Sequence, residues 1–206
     1  MEATALLPEQ DNAKRTQILD GARKCFLANG FDGASMNDIV AAAGVSKGTV
    51  YTYFTSKESL FAAMVFQDKR HQAERRFTLG DESRPVAEVL YDLGMKLSEL
   101  ADDATSLPYA RLVIAAADRF PEIGRSFYEA GPQFVIDKLA IYLEAQMAAG
   151  TLRRSDSKLA ASQFIDLIHS GILKPRLFGA MSAAQRLGVE TVVQSSVDLF
   201  LGGMRG

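Results

Sequence analysis

Apolar side chains recur along this chain at the three-and-four spacing of helices, and no stretch alternates as a strand would. Over residues 11–29, Ile18, Ala22, Cys25 and Phe26 fall on one helical face that should pack inward. Gly30 stops that helix, and Phe31 is placed to fold back onto it. Ser35 followed by Asp38 reads as the cap of a second helix with Ile39, Val40 and Ala43 inside. Gly44 can take the left-handed backbone that ends it, and Ser46 can cap a third helix over about 47–53. That third helix carries Lys47, Thr49, Tyr51, Thr52 and Tyr53, polar tips able to meet phosphates or base edges. Three short helices with a polar third one predict a helix-turn-helix.

Beyond Phe54 the period stays helical, over 56–77, 85–101, 106–120, 121–149 with a break at Gly131-Pro132, 156–174 and 189–204. Stops rich in Gly, Pro and Ser fall at LGDESRP, DDATSLP, AAGTLRRSDS and KPRLFGAMSAAQRLG. For the helix opening near Lys57, Thr55 with Glu58 and Ser56 alone are both possible caps. The expected fold is all-α, with a loose arm over 1–10, a three-helix helix-turn-helix domain over 11–56 and a helical bundle over 57–206. The long fourth helix begins beside the reader and continues into the bundle, where it would serve as a mechanical link.

Composition narrows the function. At 206 residues with 48% hydrophobic content the chain can build real cores. A net charge of -2 and a pI near 5.8 argue against a wholly basic nucleic-acid coat protein. Cations nonetheless gather early, at Lys14, Arg15, Arg23, Lys24, Lys47 and Lys57, while Asp102, Asp103, Asp118 and Glu122 lie downstream. One cysteine rules out an intramolecular disulfide and a multi-cysteine metal site, and Cys25 reads as a buried, inert thiol. MEATALLPEQ lacks the basic start and apolar core of a secretion signal, and no run approaches the ~18 apolar residues of a membrane span, so a cytoplasmic protein without membrane partners is expected. With His71, His169 and no Gly-rich phosphate loop, the chain offers no triad, zinc set or nucleotide fingerprint. No catalytic residue, metal ligand or cofactor is expected, and no enzyme. The rival readings are a helical protein-interaction adaptor, or a small-molecule-binding protein or enzyme without DNA-binding activity.

The segment ILDGARKCFLANGFDGASMNDIVAAAGVSKGTVYTYFTSKESLFAAM resembles the TetR family of bacterial transcriptional regulators almost throughout. Downstream, RLVIAAADRFPEIGRSFYEAGP and LAIYLEAQMAAGTLRRSD resemble the AefR-type C-terminal domain. The resemblance implies a homodimeric repressor on a near-palindromic double-stranded operator, released by a small-molecule effector. It places Lys47, the Gly48 backbone and Tyr51 against bases, with Tyr51 also able to meet phosphate. Thr49, Thr52, Tyr53 and Lys57 fall with the phosphate-facing set, Ser46 joins the DNA-binding residues as the cap of their helix, and Ser35 with Asn37 falls at the helix start that clamps the other groove edge. Read from the residues alone, either tyrosine could equally be a packing aromatic. For Lys57, the anion-favouring start of its own helix agrees with a phosphate role.

Aromatics at helical spacing in the bundle are ordinarily core. The resemblance implies that some also line an effector pocket, with Tyr91, Met95, Arg111, Arg119, Phe127, Tyr128, Phe134, Phe164 and His169 as the candidates. It also implies dimerisation through the last two long helices, AASQFIDLIHSGIL and VETVVQSSVDLFLGG, whose small residues Ala160, Ala161, Ser170 and Gly171 suit close packing.

Overall fold

The computed structural model describes residues 9–102, 106–170, 172–180 and 188–205, and among these every regular element is a helix. Residues 1–8 of the arm expected over 1–10, together with Asp103, Gly171 and the 181–187 part of the expected break, lie outside the described residues, and residues 9 and 10 already belong to the first helix. The chain divides into two compact units, Met1–Asp68 with Leu112–Phe127, and Lys69–Arg111 with Tyr128–Gly206.

The first unit opens with α1, Glu9–Gly33, whose backbone breaks from helical geometry at Gly30 (φ 73°, ψ 177°). Only glycine takes that conformation without strain, and it turns Phe31 back onto Phe26, ring centroids 5.9 Å apart. Ser35 caps α2, Met36–Ala43, in a reciprocal box: its hydroxyl accepts from the Asp38 amide at 3.2 Å, and the Asp38 carboxylate accepts from the Ser35 amide at 3.1 Å. Gly44 (φ 63°) closes α2 in the left-handed conformation. A Cβ on Gly21 would stand 2.6–2.7 Å from Ala43, so α1 and α2 cross nearly backbone to backbone there. Ser46 then caps α3, Lys47–Tyr53, by accepting from the Thr49 amide at 3.0 Å.

Helix α4, Lys57–Arg76, starts on Ser56, which exchanges side-chain and backbone hydrogen bonds with Ser59 at 3.1 Å each way. Of the two caps the residues allowed, the Ser56 hydroxyl is the one used. Ile18, Leu19, Ala22, Phe26, Ile39, Val50, Leu60, Phe61, Met64 and Val65 are fully buried. Each large side chain among them contributes ~1.5–3 kcal/mol over its exposed state. Helices α6, Ser106–Ala117, and α7, Pro121–Tyr128, give part of their length to this unit, with Phe120 packed on Phe31 at 5.1 Å.

The second unit is built on α5, Val86–Asp102; α8, Phe134–Ala148; α9, Ser157–His169; and α11, Val189–Met204. Leu90, Leu93, Leu139, Leu143, Phe164, Ile168 and Val193 form its fully buried centre. Gly94 lets α5 approach α9 and α11, because a Cβ there would lie 2.8 Å from both Ile168 and Val193. The structure corrects two expected boundaries. Gly131-Pro132 does not stop the helix: Pro132 removes one amide from the ladder, and a single π turn, Glu129–Gln133, absorbs the gap before α8. The helix expected over 156–174 ends at His169, where Ser170 turns extended. A short α10, Leu173–Leu177, follows, its Pro175 tolerated in a first turn that needs no amide.

Candidate nucleic-acid interface

Helix α3 is divided by its own periodicity. Val50 is fully buried and Phe54, just past the helix, nearly so, which anchors one side. Lys47, Gly48, Tyr51 and Thr52 are exposed on the other, while Thr49 and Tyr53 are half-buried. The Lys47 ammonium lies 5.9 Å from the Tyr51 ring centroid, and Tyr51 keeps 42% of its surface in solvent. Burying such a phenol inside the protein would have been favourable. Its exposure leaves both ring and hydroxyl available on the outer face of α3.

Gly48 carries a sharper signal. A helical glycine costs ~0.5–1 kcal/mol relative to alanine, yet a Cβ here would meet nothing nearer than the Ser46 hydroxyl at 3.8 Å. The fold has no use for the missing side chain.

Hydroxyl groups in the predicted set are already engaged. Ser35 donates its hydroxyl to Asp38 at 2.6 Å, Thr52 donates to the Gly48 carbonyl at 3.0 Å, and the Ser46 and Thr49 hydroxyls share one hydrogen bond at 2.7 Å. They fix the helix starts, and Ser46 and Ser35 stay exposed beside them with Asn37. The Ser35 hydroxyl and amide hold the Asp38 carboxyl below its ordinary range. Nearby, the Arg15 guanidinium sits 5.5 Å from the Phe54 ring centroid, and Lys14 donates to Gln17 at 3.1 Å.

Two of the early cations are turned inward, which spacing does not reveal. Lys57 donates to the carbonyls of Phe31 at 2.8 Å and Ala34 at 3.1 Å and lies 4.5 Å from the Phe31 ring centroid. Arg23 forks onto both oxygens of Asp68 on α4 and donates to Asp20 at 2.6 Å. These bonds, that to Asp68 foremost, push the Arg23 guanidinium further above its ordinary value against the effect of burial. The Asp20 partner is legible three residues away on α1, whereas Asp68 is brought in only by the packing of α4.

The candidate effector residues are shared between the two units. Arg119 and Phe127 belong to the first unit, where Arg119 pairs with Asp32 at 3.1 Å and lies 5.2 Å from the Phe120 ring centroid. The others belong to the second. Arg111 donates to the carbonyls of Leu177 and Arg176, both at 2.8 Å, and so caps α10. Phe164 is fully buried, edge-on to Phe200 at 5.2 Å. Phe134 packs against Phe77 under the Arg70 guanidinium, Tyr128 is half exposed, and Tyr91 and Met95 lie against the core cluster. Burial lowers the His169 imidazole below its ordinary value.

A polar group the spacing does not single out lies in the same unit. Lys69, 9% exposed on the apolar stripe of α4, donates to Gln72 at 3.0 Å, and Gln72 donates to Ser106 at 2.8 Å beside Tyr109. Its signal in the sequence is a lysine four residues from both Val65 and Ala73, at a position that ought to be apolar.

A capped, polar α3 presented by α2 over a buried three-helix core defines a helix-turn-helix DNA-binding protein. Comparison with known proteins makes the assignment specific. Residues 18–64 match the model of bacterial regulatory proteins of the tetR family, and residues 88–203 match the AefR-like transcriptional repressor C-terminal domain. The chain belongs to the TetR family. Over 61 residues it is 44% identical to the HTH-type transcriptional regulator UidR of Escherichia coli, covering 30% of this chain and 31% of that one. Over 60 residues it is 40% identical to the HTH-type transcriptional repressor AcnR of Corynebacterium glutamicum, covering 29% and 32%. The chain thus matches about a third of the length of these curated relatives. The solved structure of the flavonoid-responsive regulator FrrA is similar over 94% of this chain and 98% of that one, at 30% identity and a TM-score of 0.81. A TetR family regulator from Pseudomonas syringae is similar over 93% and 96%, at 28% identity and a TM-score of 0.69.

No described helix is long and apolar enough to cross a membrane.

Proposed function

We propose that this chain is a cytoplasmic, non-enzymatic, sequence-specific repressor that binds a near-palindromic operator as a homodimer and leaves it when a small molecule binds the C-terminal region. The exposed face of α3, with Gly48 open beside Lys47 and Tyr51, carries the reading. Lys47, the Gly48 backbone and Tyr51 read bases in the major groove. Thr49, Thr52 and Tyr53, with Ser46 at the cap, face phosphates, and Ser35 with Asn37 presents the start of α2 to the other groove edge. The helix-turn-helix domain is assigned to 11–56, and effector binding and dimerisation to 57–206.

For the dimer, Leu159 on α9 and Leu199 on α11 keep 55% and 65% of their surface in solvent, beside the exposed glycines Gly202 and Gly203. Faces of this kind pair across a two-fold axis and set two recognition helices against two half-sites. For the effector, the flavonoid response in the name of FrrA makes planar aromatic compounds the first class to test. A ligand shifts the DNA-bound population only by its difference in affinity for the two states. The test is a titration of a duplex selected by this protein, followed by challenge with such compounds. Sequence-selective retention followed by release supports the reading. Equal retention of scrambled duplexes at moderate salt contradicts it, and retention through every compound removes the effector step.

A further inference from the structure

We propose that Lys57 is a positioning residue of the DNA reader, its ammonium engaged by the elbow between α1 and α2 rather than by phosphate. The inference rests on the DNA-binding reading above and deepens it. Phe31 lies in the last turn of α1, past the break at Gly30, and Ala34 in the link to α2; both residues are nearly buried, at 6% and 2% exposed, so their carbonyls are favoured by a donor from the fold. Lys57 supplies it, at 2.8 Å to the Phe31 carbonyl and 3.1 Å to that of Ala34, over the face of the Phe31 ring at 4.5 Å.

The charge balance favours this placement. At the first position of α4 the helix's own dipole opposes a cation, whereas the Phe31 and Ala34 carbonyl oxygens and the negative face of the ring attract it. Ala34 directly precedes Ser35, which caps α2, and α2 leads through Gly44 into α3. Fixing the Ala34 carbonyl to α4 therefore sets where α2 begins, and with it where Lys47, Gly48 and Tyr51 stand. The same elbow is held from another side by Arg119 on Asp32 and Phe120 on Phe31.

The experiment compares wild type with Lys57→Met and Lys57→Arg in the full chain. It titrates a duplex selected by the wild type at several salt concentrations, well below each melting temperature. Lys57→Gln, which keeps a donor without the charge, is the second uncharged variant. Lys57→Met is expected to bind about tenfold more weakly, the size of one misplaced base contact, with an unchanged slope of log K against log salt. Lys57→Arg is expected to recover most of the affinity. Amide hydrogen exchange over residues 35–40 of the free chain is expected to quicken in the uncharged variants. A slope reduced by about one for each bound protomer would make Lys57 a phosphate ligand and overturn the proposal. Wild-type affinity with only a lowered melting temperature would overturn it too, leaving a purely stabilising contact. If the wild type selects no duplex, the DNA-binding reading itself fails, and the exchange data still report whether the clamp exists.

Discussion

Gly48 separates what the fold requires from what the surface is for. Since a methyl group there makes only an ordinary contact with the Ser46 hydroxyl at 3.8 Å, Gly48→Ala is expected to raise stability by up to ~0.5–1 kcal/mol, seen as a higher melting temperature. On the proposed reading, in which a base edge approaches the Gly48 backbone, the same change is expected to weaken operator binding. Stability and binding moving together would contradict that role. His169 gives a residue-level signature in the second unit. Burial holds its imidazole below the ordinary value of 6.5, with Asp166 pulling the other way. The unfolded chain takes up a proton near pH 6.5 that the folded chain declines. Its contribution is therefore full above that pH and is lost as the pH falls below it. His169→Gln is expected to flatten this part of a melting-temperature profile between pH 7 and 5. Such residues differ in legibility. Lys47 and Tyr51 announce themselves as polar tips, but the inward turn of Lys57 depends on the Phe31 and Ala34 carbonyls, backbone atoms that no residue type records.

At the scale of elements, the α1–α2 crossing is the tightest point in the reader. A Cβ on Gly21 would overlap the Ala43 backbone, which cannot withdraw as a flexible side chain would. Gly21→Ala is expected to cost ~1–3 kcal/mol, measured by denaturant titration, and to lower DNA affinity by tilting α2. Caps and periodicity made α2 and α3 readable from the residues, since Ser35, Asp38, Gly44 and Ser46 act within a few positions of one another. Elements set by distant or missing contacts were not. Gly131-Pro132 reads as a break whose form, a π turn, spacing does not announce, and α9 ends five residues before its apolar pattern does. Gly21 itself is unremarkable in the sequence until Ala43 is packed against it.

For the whole molecule, the property on which the proposed function turns is pairing. A dimer through α9 and α11 buries Leu199, so Leu199→Glu is expected to give monomers in sedimentation equilibrium and to abolish tight operator binding while leaving each chain folded. A variant that stays dimeric would move the interface elsewhere. The helix-turn-helix is legible in the chain because it follows from local periodicity and caps, whereas a first unit that reaches Asp68 and takes in Leu112–Phe127 follows from packing that spacing does not record. An effector site is not legible in the same way, because side chains alike in spacing take different partners once packed: Arg119 pairs with Asp32, Arg111 caps α10, and Phe164 is buried in the core.

The most direct test of the central claim is selection of duplexes from a random pool by the purified full chain at near-physiological salt. The expected product is a near-palindromic consensus whose half-sites are centred about one helical turn, or a multiple of it, apart, and whose base preference relaxes in Lys47→Ala. A pool that emerges without an enriched sequence, or with one that Lys47→Ala leaves unchanged, would contradict α3 as the reader.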